Sequence, residues 1–189
     1  MTTSPTTAVV FVTCLWLVPG VSFAQVAPAA ETSRASRLAI TMVTGIERTL
    51  TGIAEEMPAD KYEFAPTTGA FRGVRNFASQ IKHAAAVQHL VAATLLGEPV
   101  TADMADERGP DTVRTKPEVL QYLRSSFAAL KRAAATIDDA NAFTPFKGPF
   151  PAVDSRMALM VAAVTHSSNH YGQVVEYLRM NGLVPPTTQ

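Results

Sequence analysis

The sequence predicts an all-α protein, a four-helix bundle with long connections between its helices. Three observations carry this. Apolar residues recur at steps of three and four over four separate stretches of roughly 20 residues, the spacing of one helix face. Alanine-rich runs such as HAAAVQHLVAATLL and FAALKRAAATI combine that spacing with the strongest helix former. No stretch of useful length alternates apolar and polar residues as a half-buried strand does, and no internal repeat is present. A chain of 189 residues, 47% of them apolar, is long enough to bury one substantial core. Its 16 basic and 16 acidic residues cancel. That balance gives no electrostatic case for a nucleic-acid partner or an anionic membrane surface.

The first element lies outside the bundle. Residues 8–18, AVVFVTCLWLV, form an apolar run that Pro19-Gly20 breaks. The small residues Ser22 and Ala24 suit cleavage after Ala24, so residues 1–24 read as an export signal, with no Lys or Arg ahead of the run. The run falls short of the roughly 20 residues that a bilayer span needs. Cys14 sits in no small-residue lipoprotein box, so no stable membrane anchor is expected. The protein is therefore expected to be exported, periplasmic or secreted. Cys14 is the only cysteine and would leave with the signal. The mature chain would then hold no disulfide, thiolate nucleophile or Cys-ligated zinc, and its chemistry falls to His, carboxylates, Tyr and hydroxyls. Residues 25–35 read as a flexible lead-in, and residues 36–189 as the bundle.

The first helix is expected from about Ser36 to Met57, with Ala39, Met42, Ile46, Leu50, Ile53 and Met57 on one apolar stripe. PADKYEFAPTTGAFRG follows as a Pro/Gly loop with aromatic anchors. The second helix runs from about Val74 to Leu96. A long acidic connection, GEPVTADMADERGPDTVR, can serve as a crossover, so up-down-up-down connectivity does not follow from the sequence. The third helix opens on Thr115 and Glu118, a capping box, with Pro117 in its first turn, and continues to about Ile137. NAFTPFKGPFPAVD is a second Pro/Gly loop whose three phenylalanines are expected to cover one end of the core. Asp154 is the expected N-cap of the fourth helix. Asn181-Gly182 and Pro185-Pro186 end it.

Four histidines sit on two of these helices. At 100° per residue, His166 and His170 lie about 40° apart, on the side of Leu159, Ala162, Gln173 and Tyr177. Val164, Ser168, Tyr171, Val175 and Leu178 make a second, largely apolar side. On the second helix His83 shares its side with Ser79, Val87 and Leu90 and points inward. His89 continues a stripe with Lys82 and Arg75 that reads as solvent face. Histidines at i and i+4 can chelate one ion, and a third imidazole from a facing helix completes a set with open positions, the pattern of a catalytic zinc site. Water at an open position would be acidified toward neutral pH. Gln173 or Tyr177, one or two turns along the same face, would orient that water or a substrate. By spacing alone, most such i,i+4 pairs bind nothing, and an inward histidine such as His83 is usually a core residue with one hydrogen bond.

Two stretches carry a family resemblance. MPADKYEFAPTTGAFRGVRNFASQIKHAAAVQHL is similar to the first motif of the DinB/YfiT-like family of four-helix-bundle metalloproteins, in which a P-x-x-x-Y-x-F-x-P loop leads into a histidine-bearing helix. HSSNHYGQVVEYLRMNGLVPP resembles the second: a His-x-x-x-His pair, a Gly-Gln step, a Tyr-Leu-Arg run, then Gly and Pro-Pro. The resemblance spans about residue 36 to the end. It implies a metal triad of His83, His166 and His170, with no counterpart for His89. It implies activities among metal-dependent hydrolases and thiol-cofactor transferases, in a family that also has members without known activity, and it implies homodimers. Tyr171 stands where many relatives carry Arg, and export removes the chain from thiol-rich surroundings. Both point away from thiol transfer. The expectation is an exported metal-dependent hydrolase acting on a small molecule, with zinc or nickel, or iron, as the ion and no organic cofactor. A non-catalytic metal-binding or stress-related bundle is the alternative, and a structural helical protein with core histidines the third. Metal binding is expected to weaken below about pH 6.5, where free imidazoles protonate.

Overall fold

The computed structural model describes Met1 and residues 32–186. The expected export signal beyond Met1, lead-in residues 25–31 and the last three residues lie outside the described residues. Four long helices form the body: α1 (Arg34–Glu56), α2 (Phe77–Leu96), then, after the single-turn α3 (Ala102–Ala105), α4 (Lys116–Ala135) and α5 (Arg156–Met180). Among the described residues there is no strand, only an isolated bridge between Pro145 and Ser155. The fold is all-α, and no described helix is long and apolar enough to cross a membrane.

Cross-helix pairs fix the connectivity. Glu47 pairs with Lys131 and Glu55 with Arg124, so α1 and α4 run antiparallel. Gln88 meets Ser126 and Glu98 meets Arg132, so α2 and α4 run parallel. Gln80 meets Gln173 and Gln88 meets Ser167, so α2 and α5 run antiparallel. The order is up-down-down-up. α1 and α2 each pack chiefly on α4 and α5 and face each other across the core. Parallel α2 and α4 require the chain to return the full length of α2, about 30 Å, and residues 97–115 make that crossover. Gly97 opens it with φ +69°, and its peptide follows the last turn of α2.

The crossover also covers α2. Gly109, at φ +70°, lies so close that an added Cβ would stand 2.9 Å from the Tyr122 ring and 3.5 Å from the Lys82 carbonyl. With α4 and α5 on its other sides, α2 buries residues around most of its circumference. That corrects the expected solvent stripe. His89 is half-buried, its ring tilted against Tyr122 at 4.9 Å and its Nε2 paired with Ser125 Oγ at 3.1 Å. Arg75 is not on the helix at all, because Asn76 caps it and helical spacing cannot be extended past that cap.

Other boundaries moved for local reasons. α1 starts two residues early, because Ser33 Oγ accepts from Ser36 N and donates to the Ile137 carbonyl, and Asp139 accepts from Ala35 N. The end of the lead-in is thereby tied to the end of α4. On α1, Val43 is fully buried and Met42 only half-buried. Ser155, not Asp154, caps α5, since the Pro145–Ser155 bridge holds Asp154 extended with its carbonyl accepting from Phe146 N. Phe146 and Phe150 pack on the core as expected, but Phe143 is exposed. The capping box of α4 forms as read, with Glu118 accepting from Thr115 N.

The loop of residues 58–76 sets the register of α2. Tyr62 is buried, donates its hydroxyl hydrogen to the Ala54 carbonyl and meets Phe77 edge-on at 5.2 Å. The Phe64 and Tyr62 carbonyls accept from Phe77 N and Ala78 N, each at 2.9 Å, and Asn76 Oδ1 accepts from Ser79 N. Three of the free N–H groups at the helix start are thus satisfied, and the helix cannot slide. The core between the helices is closed by Leu50, Ile53, Ile81, Leu123, Phe127 and Met160, none with measurable exposure.

Candidate metal centre

α2 and α5 face each other antiparallel, and their inward residues carry the three predicted histidines to one place. His83, His166 and His170 each offer a ring nitrogen, and the three nitrogens lie within 4.8 Å of one another. The ring centroids are 4.9 Å apart for His83–His166, 4.6 Å for His83–His170 and 4.5 Å for His166–His170. His83 and His170 are buried, and His166 is half-buried.

Their hydrogen bonds leave the right atoms free. The Glu107 carbonyl lies 2.7 Å from His83 Nδ1. A carbonyl only accepts, so Nδ1 carries the hydrogen and Nε2 keeps its lone pair. Gln80 Oε1 lies 2.8 Å from His170 Nδ1 and imposes the same tautomer. Gln80 Nε2 donates in turn to Gln173 Oε1 at 2.8 Å. His166 Nε2 is buried without a hydrogen-bond partner. A buried polar atom without a partner is costly, and a cation at the centre of the three rings would satisfy it. An all-imidazole donor set suits zinc, nickel, iron or copper and does not choose among them. The residues fit a divalent transition-metal ion.

Glu107 has φ +55°, a left-handed conformation that costs a non-glycine residue on the order of 1–3 kcal/mol. The crossover holds it there, and the conformation delivers its carbonyl to His83. One turn from the triad, Gln88 is fully buried and bridges Ser126 Oγ at 2.7 Å and Ser167 Oγ at 2.8 Å, tying α4 and α5 to α2. Sequence reading missed Gln80, the Glu107 carbonyl and this bridge. Gln80 precedes His83 by three residues and so shares its face, which is the one signal that could have found it.

Burial is the main reason the imidazoles resist protonation. It holds His170 down to about 3 and His166 to about 4, with the neighbouring imidazoles and the Arg75 guanidinium adding repulsion. Burial lowers His83 too, partly offset by the Glu107 carbonyl. The unfolded chain, with imidazoles near 6.5, binds more protons than the folded one below that pH. Stability of the metal-free protein should therefore fall as pH drops from about 6.5 toward 4. Thermal unfolding across that range checks this, with a shallower fall expected for His170→Gln and a flat wild-type profile contradicting it. For the same reason, an ion held by these imidazoles should be released only as pH falls well below the usual imidazole range.

The two candidate catalytic side chains differ. Tyr177 is buried, and its hydroxyl donates to the Arg75 carbonyl at 2.9 Å while Phe64 meets its ring edge-on at 5.9 Å. It holds the 58–76 loop. Gln173 is half-buried and lines a cavity of ≈ 390 Å³ that also includes Gln80, Glu176 and the apolar Pro66, Phe71, Val74 and Met180. Tyr171, in the position where many relatives carry Arg, is half-buried against the core and lines a surface hollow together with Met42 and Ile46 of α1.

A family model described as the DinB superfamily matches residues 43–174, a span that includes all three triad histidines. No curated protein matches the chain.

Proposed function

The chain belongs to the DinB superfamily, and from that premise we propose that it is an exported, metal-dependent hydrolase of small molecules, with His83, His166 and His170 as its metal ligands. The observation that carries the metal assignment is the convergence of three imidazole nitrogens within 4.8 Å, two of them with tautomers fixed from behind. Zinc or nickel is the favoured ion, iron the next. When bound, such an ion supplies Lewis acidity and acidifies water near neutral pH.

The chain's own residues do the rest. The Glu107 carbonyl and Gln80 keep Nδ1–H on His83 and His170 and so aim their lone pairs inward. Gln173 orients substrate beside the site. Tyr177 is the weaker catalytic candidate, since its hydroxyl is engaged with Arg75, and its part is to hold the wall of the site. The Arg75 cation near the three imidazoles favours their neutral, ligating form. A periplasmic or secreted location rests on residues 1–24, and a homodimer on the resemblance; both belong to this proposal.

Turnover of an ester, amide and phosphoester panel by metal-loaded and metal-stripped protein tests the reading. Metal-dependent hydrolysis of at least one class is expected. Stoichiometric metal with no metal-dependent turnover on any of them would favour the alternative, a non-catalytic metal-binding or stress-related bundle.

A further inference from the structure

We propose that Arg75 sets the specificity of the site, holding a small-molecule substrate by an anionic oxygen group, a carboxylate or a phosphate, while the substrate's reacting end reaches the triad. This deepens the proposed function and rests on its metal assignment.

The fold brings the Arg75 cation to the histidines. Arg75 precedes His83 by eight residues, about 12 Å along the direction of α2. Side chains of a helix lean toward its N-terminus, so the His83 ring leans toward Arg75. The backbone there is held on both sides. The Arg75 carbonyl accepts from the Tyr177 hydroxyl at 2.9 Å, and Asn76 Oδ1 accepts from Ser79 N at 2.8 Å. The side chain is what remains free. Arg75 is exposed and, among the described residues, enters no ion pair. Its charge bears on all three rings. On His83 it outweighs the Glu107 carboxylate, whose Oε2 lies 3.9 Å from Nδ1. Coulomb forces weaken with distance, so the guanidinium stands comparably near.

Charge balance says what this cation is for. The imidazoles ligate as neutral groups, and among the described residues no carboxylate joins them. Glu107 faces Nδ1 of His83, the nitrogen turned away from the centre. A divalent ion held there keeps its two charges, and Arg75 adds a third. Arg75 also stands directly before the N-cap of α2, where the helix dipole is positive and disfavours a cation. A guanidinium kept against both fields, with no ion-pair partner in the described protein, calls for an anion from outside. An anion between Arg75 and the triad is attracted by both. The planar fork of arginine matches two donors to two oxygens of a carboxylate or phosphate. The class is thus a small ester or amide that carries such a group a few bonds from the bond to be cleaved.

Calorimetric titration of zinc-loaded protein with three hydroxamates tests this. Pentanohydroxamate has a neutral tail, whereas 3-carboxypropanohydroxamate and 3-phosphonopropanohydroxamate end in an anion. All present the same metal-seeking head on chains of similar length. At least one anionic compound should bind about tenfold or more tightly than pentanohydroxamate, and the tighter of the two identifies the group. Arg75→Gln should abolish that preference, leave pentanohydroxamate binding unchanged and retain its zinc. Arg75→Lys should keep part of the preference, since it keeps the charge and loses the fork. No preference for either anion in wild-type protein, or the same preference in Arg75→Gln, would overturn the Arg75 proposal while leaving metal-dependent binding intact. Loss of zinc from Arg75→Gln would give Arg75 a structural role and overturn the proposal as well. Binding of none of the three, or equal binding by metal-stripped protein, would overturn the metal assignment and this proposal with it.

Discussion

Replacing His170 by alanine should empty the metal centre. Elemental analysis of wild-type protein is expected to give about one equivalent of a transition metal, and the His170→Ala variant a small fraction of that, with affinity reduced on the order of 100-fold or more. The loss is large because three imidazoles are the whole protein donor set among the described residues. Two remaining rings offer an i,i+4-independent pair from different helices, His83 and His166, with centroids 4.9 Å apart and no third partner to close the geometry. His166→Ala should behave the same way. His89→Ala is the control. It sits on α2 like His83 but stacks on Tyr122 and pairs with Ser125, so its removal should leave metal content unchanged. Equal metal in the His170→Ala and His89→Ala proteins would sink the triad.

Gln80→Leu should lower metal affinity by about 10- to 100-fold without removing a ligand. Leucine matches the buried volume of the glutamine closely enough to keep α2 packed, but offers nothing to His170 Nδ1–H. That hydrogen is then buried without an acceptor, and the ring is free to turn its Nε2 away from the centre. Gln80→Glu keeps an acceptor oxygen at the same place and should retain affinity. Competition against a chromophoric chelator measures both. Affinity unchanged in Gln80→Leu would mean that the His170 ring is oriented by packing alone.

The triad was legible because helical periodicity turns sequence distance into direction. His83 shares a face with Val87 and Leu90, and His166 and His170 share one with Leu159, all buried in the fold apart from the half-open His166. The helix ends were legible where side-chain chemistry states them, as at Thr115 and Glu118. They were misread where tertiary contacts choose the cap, as at Ser33 and Ser155. The outward reading of His89 failed because it assumed that α2 has a solvent side, whereas the crossover and α4 cover it. Connectivity was illegible because loop lengths permit more than one arrangement, and only the pairs between helices decide. Least visible of all was the group behind His83. It is a backbone carbonyl, placed by Glu107 at φ +55°, and no residue letter announces it.

X-ray absorption at the zinc edge of the zinc-loaded protein tests the central claim most directly. Three imidazole nitrogens at about 2.0–2.1 Å, with the outer-shell scattering of the rings, are predicted. A first shell of oxygen alone, or one without imidazole scattering, would contradict it.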